Sequence, residues 1–94
     1  MKKIHLIVSG RVQGVGFRYF TLQVAKELNI KGWVRNLPDG NVEICAAGEE
    51  SSLEIFIQKI KKGPPLSRVL NIEVTYDECE NNDFKDFTIK YWNW

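Results

Sequence analysis

A glycine-rich segment near the N-terminus carries the residues best suited to chemistry. Residues 10–18 read GRVQGVGFR, between an apolar alternating segment and one with helical spacing. Gly10, Gly14 and Gly16 can adopt positive φ, so that successive backbone N–H groups converge, and the helix that follows adds its free N-terminal donors. Arg18 supplies a full charge, and its planar fork matches two oxygens of a phosphoryl group. The segment therefore predicts a site for a phosphate-like anion.

The glycines alone also allow a second interpretation, in which they make a tight strand-to-helix connection beside a solvated arginine. Two nucleotide-binding motifs are excluded. The segment has no Gly-Lys-Ser/Thr ending, as a Walker loop requires, and Gly14-x-Gly16 lacks the third glycine of a dinucleotide fingerprint. An anion site and a purely structural turn are the two interpretations that remain.

Length and charge restrict the other classes of function. The chain has 94 residues, which predicts one domain spanning residues 1–94 with a modest hydrophobic core. Its 13 Lys and Arg residues nearly balance 12 Asp and Glu residues, and the net charge of +1 gives no global attraction to nucleic acid or to an anionic membrane. No apolar run approaches the length of a membrane span, and we expect a cytoplasmic protein. Any preference for anions is therefore expected to be local.

The two cysteines and the one histidine are expected to carry no chemistry. Cys45 and Cys79 do not have a metal-site spacing, and in a chain without a signal peptide we expect free thiols rather than a disulfide. Cys45 alternates within an apolar segment and is interpreted as a small core or interlayer side chain. His5 lies in the middle of a predicted strand, where a solvated or packed side chain is expected. We expect no metal site.

The first half of the chain must position the glycine-rich segment. Alternating apolar residues predict a strand around residues 4–8, and helical spacing after the glycines predicts an amphipathic helix over residues 17–28 that stops at Asn29. A short β-favouring segment follows at residues 32–36. Residues 37–40, LPDG, then predict the turn of a hairpin.

The second half predicts a strand, a helix and two further strands. Residues 42–47 alternate as the second strand of the hairpin, and an apolar stripe predicts a helix that ends at Lys61-Lys62-Gly63. Ser51 and Glu54 have the spacing of a capping box at its start. Pro64-Pro65 prevents the helix from continuing.

The remaining residues complete the predicted fold. Alternation returns over residues 70–76, residues 77–86 are acidic and Asn-rich and predict a mobile loop, and residues 87–91 predict a short terminal strand. The order is βαββαβ plus this small strand. It predicts an α+β protein with the ferredoxin-like double βαβ arrangement, an antiparallel sheet covered on one face by two helices.

Three motifs resemble one known family. GRVQGVGFR at residues 10–18 closely resembles the signature of the acylphosphatase family, and GWVRNLPDG at residues 32–40 resembles its second signature. GPPLSRV at residues 63–69 resembles the family's turn before the fourth strand. The resemblance runs over nearly the whole chain. It implies the same ferredoxin-like fold and the hydrolysis of acyl phosphates to a carboxylate and inorganic phosphate.

The resemblance also implies where this reaction takes place. In the family's fold, the end of the second strand lies near the loop after the first, which brings Asn36 towards Arg18. We assign Asn36 to holding the attacking water, because a neutral amide can orient it without repelling the phosphoryl anion. From the residues alone, an Asn beside a turn commonly bonds its own backbone, and that alternative stays open. The phosphoryl oxygens are assigned to the Arg18 side chain and to backbone N–H groups of Gln13, Gly14, Val15, Gly16, Phe17 and Arg18.

The residue inventory suits such a reaction. A carboxylate leaves without a proton, so that positioning and charge stabilisation are the main tasks of the protein, and neither metal nor cofactor is needed. The expected partner is a small-molecule acyl phosphate, with inorganic phosphate or sulfate as a competing anion. We expect a monomer that binds neither nucleic acid nor membrane.

Two other classes of function compete with this hypothesis. A ferredoxin-like sheet with aromatic residues can bind RNA, and Trp33, Trp92 and Trp94 are available for stacking. However, residues 31–34 match only the beginning of the RNA-recognition signature, and the chain has no basic surplus. The other class is a non-catalytic or regulatory acylphosphatase-like domain, as found inside larger maturation proteins. The free-standing length of the chain argues against it.

Overall fold

The structure is a computed structural model that describes residues 1–76 and 84–91. Two helices pack on one face of a five-stranded sheet, and the elements follow the predicted order. The strands and helices are β1 (Lys2–Arg11), α1 (Phe17–Glu27), β2 (Lys31–Asn36), β3 (Val42–Gly48), α2 (Glu50–Lys62), β4 (Arg68–Tyr76) and β5 (Phe87–Lys90). The predicted ferredoxin-like arrangement is confirmed.

The sheet has the strand order β4-β1-β3-β2-β5. β1 lies between β4 and β3 and pairs antiparallel with both, and β2 pairs antiparallel with β3. β5 pairs parallel with β2, from Gly32 opposite Phe87 to Arg35 opposite Lys90. The four long strands therefore form the predicted antiparallel sheet, and the terminal strand makes it mixed.

The core lies between the sheet and the helices. Alternate residues of β1 face it, so that Ile4, Leu6 and Val8 are fully buried, as the period of two predicts. Fully burying one such side chain contributes about 1.5–3 kcal/mol. Other members of this core are Phe17, Val24, Val34, Val42, Ile44, Leu53, Phe56 and Ile60. Cys45 is 2% exposed and thus buried as predicted, but it pairs with His5 and Trp33 and so lies on the sheet face opposite this core.

The predicted C-terminal end of α1 is confirmed, whereas the predicted N-terminal cap of α2 is not. After α1, Asn29 adopts a φ of 57°, which confirms the predicted stop. The predicted capping box of α2 is wrong. The helix begins at Glu50, its N-cap is Glu49 in an extended conformation without a side-chain cap, and Ser51 already lies within the helix. Glu50 in the first turn complements the positive end of the helix dipole instead.

Several predictions fall on residues 77–83 and 92–94, which lie outside the described residues. They include most of the predicted loop, the thiol of Cys79 and the side chains of Trp92 and Trp94. Within the described residues, no helix is long and apolar enough to cross a membrane. The same residues contain no group of three or more His, Cys, Asp and Glu side chains that could hold a metal ion.

The sheet face opposite the helices carries a network of polar side chains across its three central strands. His5 Nε2 donates to Glu43 Oε2 at 2.7 Å, and Arg35 Nε donates to Glu43 Oε1 at 2.5 Å. Burial alone would raise the pKa of the Glu43 carboxyl, but the hydrogen bonds from His5 and Arg35 and the charges of both lower it below its ordinary value of 4.5. Of the two environments predicted for His5, solvated or packed, the structure therefore shows the packed one, against Glu43.

Glu43→Gln is expected to lower the free energy of unfolding at neutral pH by about 1–2 kcal/mol, since it removes the charge from two charge-assisted hydrogen bonds. A carboxylate whose pKa is depressed by folding stabilises the protein above its unfolded pKa, and this contribution is lost as the pH falls through the folded pKa. The difference between wild type and Glu43→Gln should therefore begin to shrink as the pH falls below 4.5 and disappear only below the lowered pKa of the folded state. Urea unfolding at several pH values measures it.

The matched control is Glu73→Gln, which neutralises an exposed glutamate of β4 on the same face of the sheet. Its effect at neutral pH should be within about 0.5 kcal/mol of zero. Equal destabilisation by the two variants would show that the loss reflects net charge rather than the contacts of Glu43 with His5 and Arg35.

Candidate active site

Two of the three glycines of residues 10–18 shape the turn between β1 and α1. Gly14 and Gly16 have φ values of 74° and 79°, and a Cβ at either position would meet no atom within 4 Å. Glycine is therefore required there by the backbone conformation and not by crowding. Gly10 differs, because a Cβ there would collide with the carbonyl oxygen of Arg68, and the register of β1 against β4 shifts between Ser9 and Gly10. Gly10 thus serves the packing of two strands.

The N-terminus of α1 has no side-chain cap. The N-cap residue is Gly16, which has no side chain that could accept from the first N–H groups of the helix, and the first turn contains no acidic residue. The N-terminus of α2, in contrast, has Glu50 in its first turn. The first N–H groups of a helix have no partner within it, and they carry the positive end of the helix dipole. The start of α1 is therefore suited to an anion, with Arg18 as the second helical residue.

The Gln13 side chain ties the turn to the hairpin between β2 and β3. Its Nε2 donates to the carbonyl oxygens of Leu37 and Asn41, both at 2.8 Å. The sequence predicted only that the backbone N–H of Gln13 binds phosphate. It did not predict this role of the side chain, because no local pattern indicates that the hairpin lies beside the turn. The two contacts hold the turn at a fixed distance from the end of β2.

A cleft of about 290 Å³ opens beside the turn. Arg18 and Asn36, which lie 18 positions apart in the sequence, both line it. Of the six residues predicted to bind phosphate, Gln13 and Val15 belong to the turn without lining the cleft. The lining residues are Val12, Gly14, Gly16, Phe17, Arg18, Tyr19, Asn36, Ile89 and Tyr91.

Asn36 is the last residue of β2, where it pairs with Val42. Its Oδ1 is buried and has no hydrogen-bond partner among the described residues. The hairpin is instead closed by Asp39, whose Oδ1 accepts from the backbone N–H of Asn41 at 3.0 Å. A buried acceptor without a donor costs about 1–3 kcal/mol, so that a ligand or water that donates to Oδ1 would be stabilised there.

Tyr91 is a cleft residue that the sequence analysis did not identify. The Arg18 Cζ lies 5.2 Å from the centroid of the Tyr91 ring, within the range of a cation–π contact. The sequence contains one weak indication of its position, because Tyr91 continues the alternation of Phe87 and Ile89, whose side chains face the helices. Its contact with Arg18 spans most of the chain, and no local pattern indicates it.

Trp33, the described one of the three tryptophans invoked for RNA binding, lies on the sheet face away from the helices. The Arg35 Cζ lies 5.2 Å and the Lys90 Nζ 4.6 Å from the centroid of its ring. Two side chains of this protein therefore already contact the ring that the RNA-binding hypothesis requires for base stacking.

The sequence matches the model of the family described as Acylphosphatase over residues 4–89. It is 53% identical over 91 residues to an acylphosphatase of Archaeoglobus fulgidus, and the match covers 97% of this chain and 100% of that protein. The structure is similar to the crystal structure of acylphosphatase from Bacillus subtilis, with a TM-score of 0.92 and 44% identity over 97% of this chain and 100% of the other.

Similarity also extends to one part of a larger protein. The crystal structure of HypF from T. kodakarensis matches 96% of this chain with a TM-score of 0.83 and 40% identity, and the match covers 12% of that chain. The same fold thus occurs both in proteins of about this length and as a segment of a long one.

Proposed function

Because the chain belongs to the acylphosphatase family, we propose that it hydrolyses the carboxyl–phosphate bond of acyl phosphates by direct attack of water, with Arg18 and Asn36 as its catalytic residues. The observation that carries this proposal is the uncapped N-terminus of α1, which opens into a cleft lined by both residues. The products are a carboxylate and inorganic phosphate.

Arg18 and the backbone of the turn hold the phosphoryl group. The guanidinium contacts two phosphoryl oxygens, and backbone N–H groups between Gln13 and Arg18 converge on the others, as the positive φ of Gly14 and Gly16 favours. In a loose transition state the charge is spread over these oxygens, and preorganised donors stabilise it without reorganisation. Inorganic phosphate or sulfate competes for the same donors.

Asn36 orients the attacking water. Its Oδ1, buried without a partner among the described residues, accepts a hydrogen bond from the water and so relieves the cost of an unpaired acceptor. A neutral amide does this without repelling the phosphoryl anion. The proton of the water passes to an oxygen of the substrate's own phosphoryl group.

The lining of the cleft fits a leaving group that needs no proton. Among the described residues, no Asp, Glu, His or Cys lines it, and its titratable side chains are Arg18, Tyr19 and Tyr91. A carboxylate leaves with a pKa of about 4, whereas an alcohol or phenol leaves with a pKa of about 10 or more and requires protonation. The proposed mechanism therefore uses neither a general acid nor a metal ion.

The proposed partner is a small-molecule substrate alone. We propose that the protein acts on it as a monomer, without a nucleic-acid or membrane partner, since its net charge of +1 gives no global attraction to either. The 94 residues act as one domain in the cytoplasm.

The purified chain is expected to release phosphate from benzoyl phosphate about 10³-fold faster, or more, than from phenyl phosphate, because only the second leaving group needs a proton. The two substrates share the ring and the phosphoryl group. Both are measured by phosphate release with and without a chelator. Comparable turnover of phenyl phosphate, or loss of activity with the chelator, would contradict the mechanism.

A further inference from the structure

Part of the cleft lining is aromatic and apolar and comes from outside the glycine-rich turn. Tyr19 comes from the first turn of α1, Ile89 from β5, and Tyr91 follows that strand directly. The two tyrosines remain 63% and 66% exposed. Exposed rings at the opening of a cleft supply large and rigid contact area for a ligand.

The Tyr91 ring is held close to both proposed catalytic residues. The last pair of the parallel ladder joins Arg35 with Lys90; Asn36 then ends β2, and Tyr91 is the residue directly after β5. The same ring lies against Arg18, with 5.2 Å between Cζ and the ring centroid. The attraction between the guanidinium and the face of the ring holds Tyr91 beside Arg18 in the lining of the cleft.

We propose that Tyr91, together with Tyr19 and Ile89, forms the wall that receives the acyl group, and that the chain therefore prefers aromatic acyl phosphates to acetyl phosphate. This inference rests on the proposed function. A phosphoryl group bound at the turn uses the N–H groups and Arg18, which leaves the rest of the same cleft, where these three side chains lie, for the acyl group. An aromatic acyl group buries apolar area and stacks there, whereas a methyl group is too small to do so.

Two stable phosphonates test the proposal by binding alone. Phenacylphosphonate and acetonylphosphonate are the methylene analogues of benzoyl phosphate and acetyl phosphate, and they differ only in phenyl against methyl. The wild-type Kd, from NMR or calorimetric titration, is expected to be about tenfold lower for the phenyl compound, as a single apolar group commonly discriminates. Tyr91→Leu should reduce this ratio to about two or less, and Tyr91→Phe, which keeps the ring, should preserve it.

The matched control is Tyr76→Leu, which removes another exposed tyrosine, 65% exposed, at the end of β4 outside this cleft. It should leave both affinities at their wild-type values. An unchanged Kd ratio in Tyr91→Leu, or a loss of affinity by the same factor for both phosphonates, would overturn the proposal, because the ring would then act only through Arg18.

Kinetics separate this inference from the proposed function. The ratio of kcat/KM for benzoyl phosphate to that for acetyl phosphate should fall in Tyr91→Leu by about the same factor as the Kd ratio. If the wild type hydrolysed neither compound, the proposed function would fail, and the phosphonate affinities would still decide whether Tyr91 receives the acyl group.

Discussion

Arg18→Lys is expected to lower the turnover of acyl phosphates about 10³-fold or more, which is the size of effect known for an arginine that stabilises phosphoryl transfer. Lysine keeps the positive charge but loses the planar fork that contacts two oxygens at once. It also loses the flat surface that packs against Tyr91. The inhibition constant of inorganic phosphate should rise as well, because product and substrate use the same donors. Steady-state kinetics with phosphate as inhibitor measures both effects.

The matched control is Arg11→Lys, which makes the same substitution at an exposed arginine at the end of β1, outside the lining of the cleft. It should retain wild-type turnover. Unfolding midpoints establish whether each variant folds. If Arg18→Lys folded normally and retained most of its activity, Arg18 would not be the residue that anchors the phosphoryl group.

Asn36→Ala is expected to lower turnover about 10²- to 10³-fold while leaving phosphate affinity nearly unchanged. In the proposed mechanism Arg18 and the backbone still hold the phosphoryl group, but the attacking water loses the acceptor that orients it. Stability should change little, since the Oδ1 of Asn36 has no partner to lose among the described residues. The kinetic constants are compared with the unfolding midpoint in urea.

Two further substitutions separate a catalytic asparagine from a hairpin asparagine. Asn36→Asp should be at least as poor as Asn36→Ala, since a carboxylate near the phosphoryl group opposes binding of the anion. Asn41→Ala removes the side chain that bonds Asp39 in the same hairpin and should affect stability rather than turnover. Near-normal turnover of Asn36→Ala, with only a loss of stability, would return Asn36 to the structural interpretation.

The parts of the fold that the sequence predicted are those set by local chemistry. The alternation of Ile4, Leu6 and Val8 decides which face of β1 is buried, whatever strands lie beside it. Gly14 and Gly16 indicated a turn with positive φ because few other residues adopt that conformation. The proximity of Asn36 to Arg18 came from the family resemblance and not from these patterns, since it depends on how the strands are ordered in the sheet.

The features that the sequence did not reveal are contacts between side chains far apart in the chain. Gln13 with Leu37, Glu43 with His5, and Arg18 with Tyr91 all depend on the register of neighbouring strands. The start of α2 was missed for a different reason. Ser51 and Glu54 satisfy the capping pattern, but Glu49 and Glu50 come first in the chain, and a carboxylate near the positive end of the dipole is an alternative to a side-chain cap.

The two sides of the cleft differ in how firmly the sheet supports them. Asn36 ends a strand that is paired on both sides, and the turn beside it is held by the Gln13 side chain. β5 has four residues, lies at the edge of the sheet and, within residues 1–76 and 84–91, pairs with β2 alone. Short edge strands open locally at a small free-energy cost, long before the whole domain unfolds. The part of the cleft that carries Ile89 and Tyr91 is thus the compliant one; in the proposed mechanism it yields to acyl groups of different bulk while the phosphoryl group stays in place beside Arg18 and Asn36.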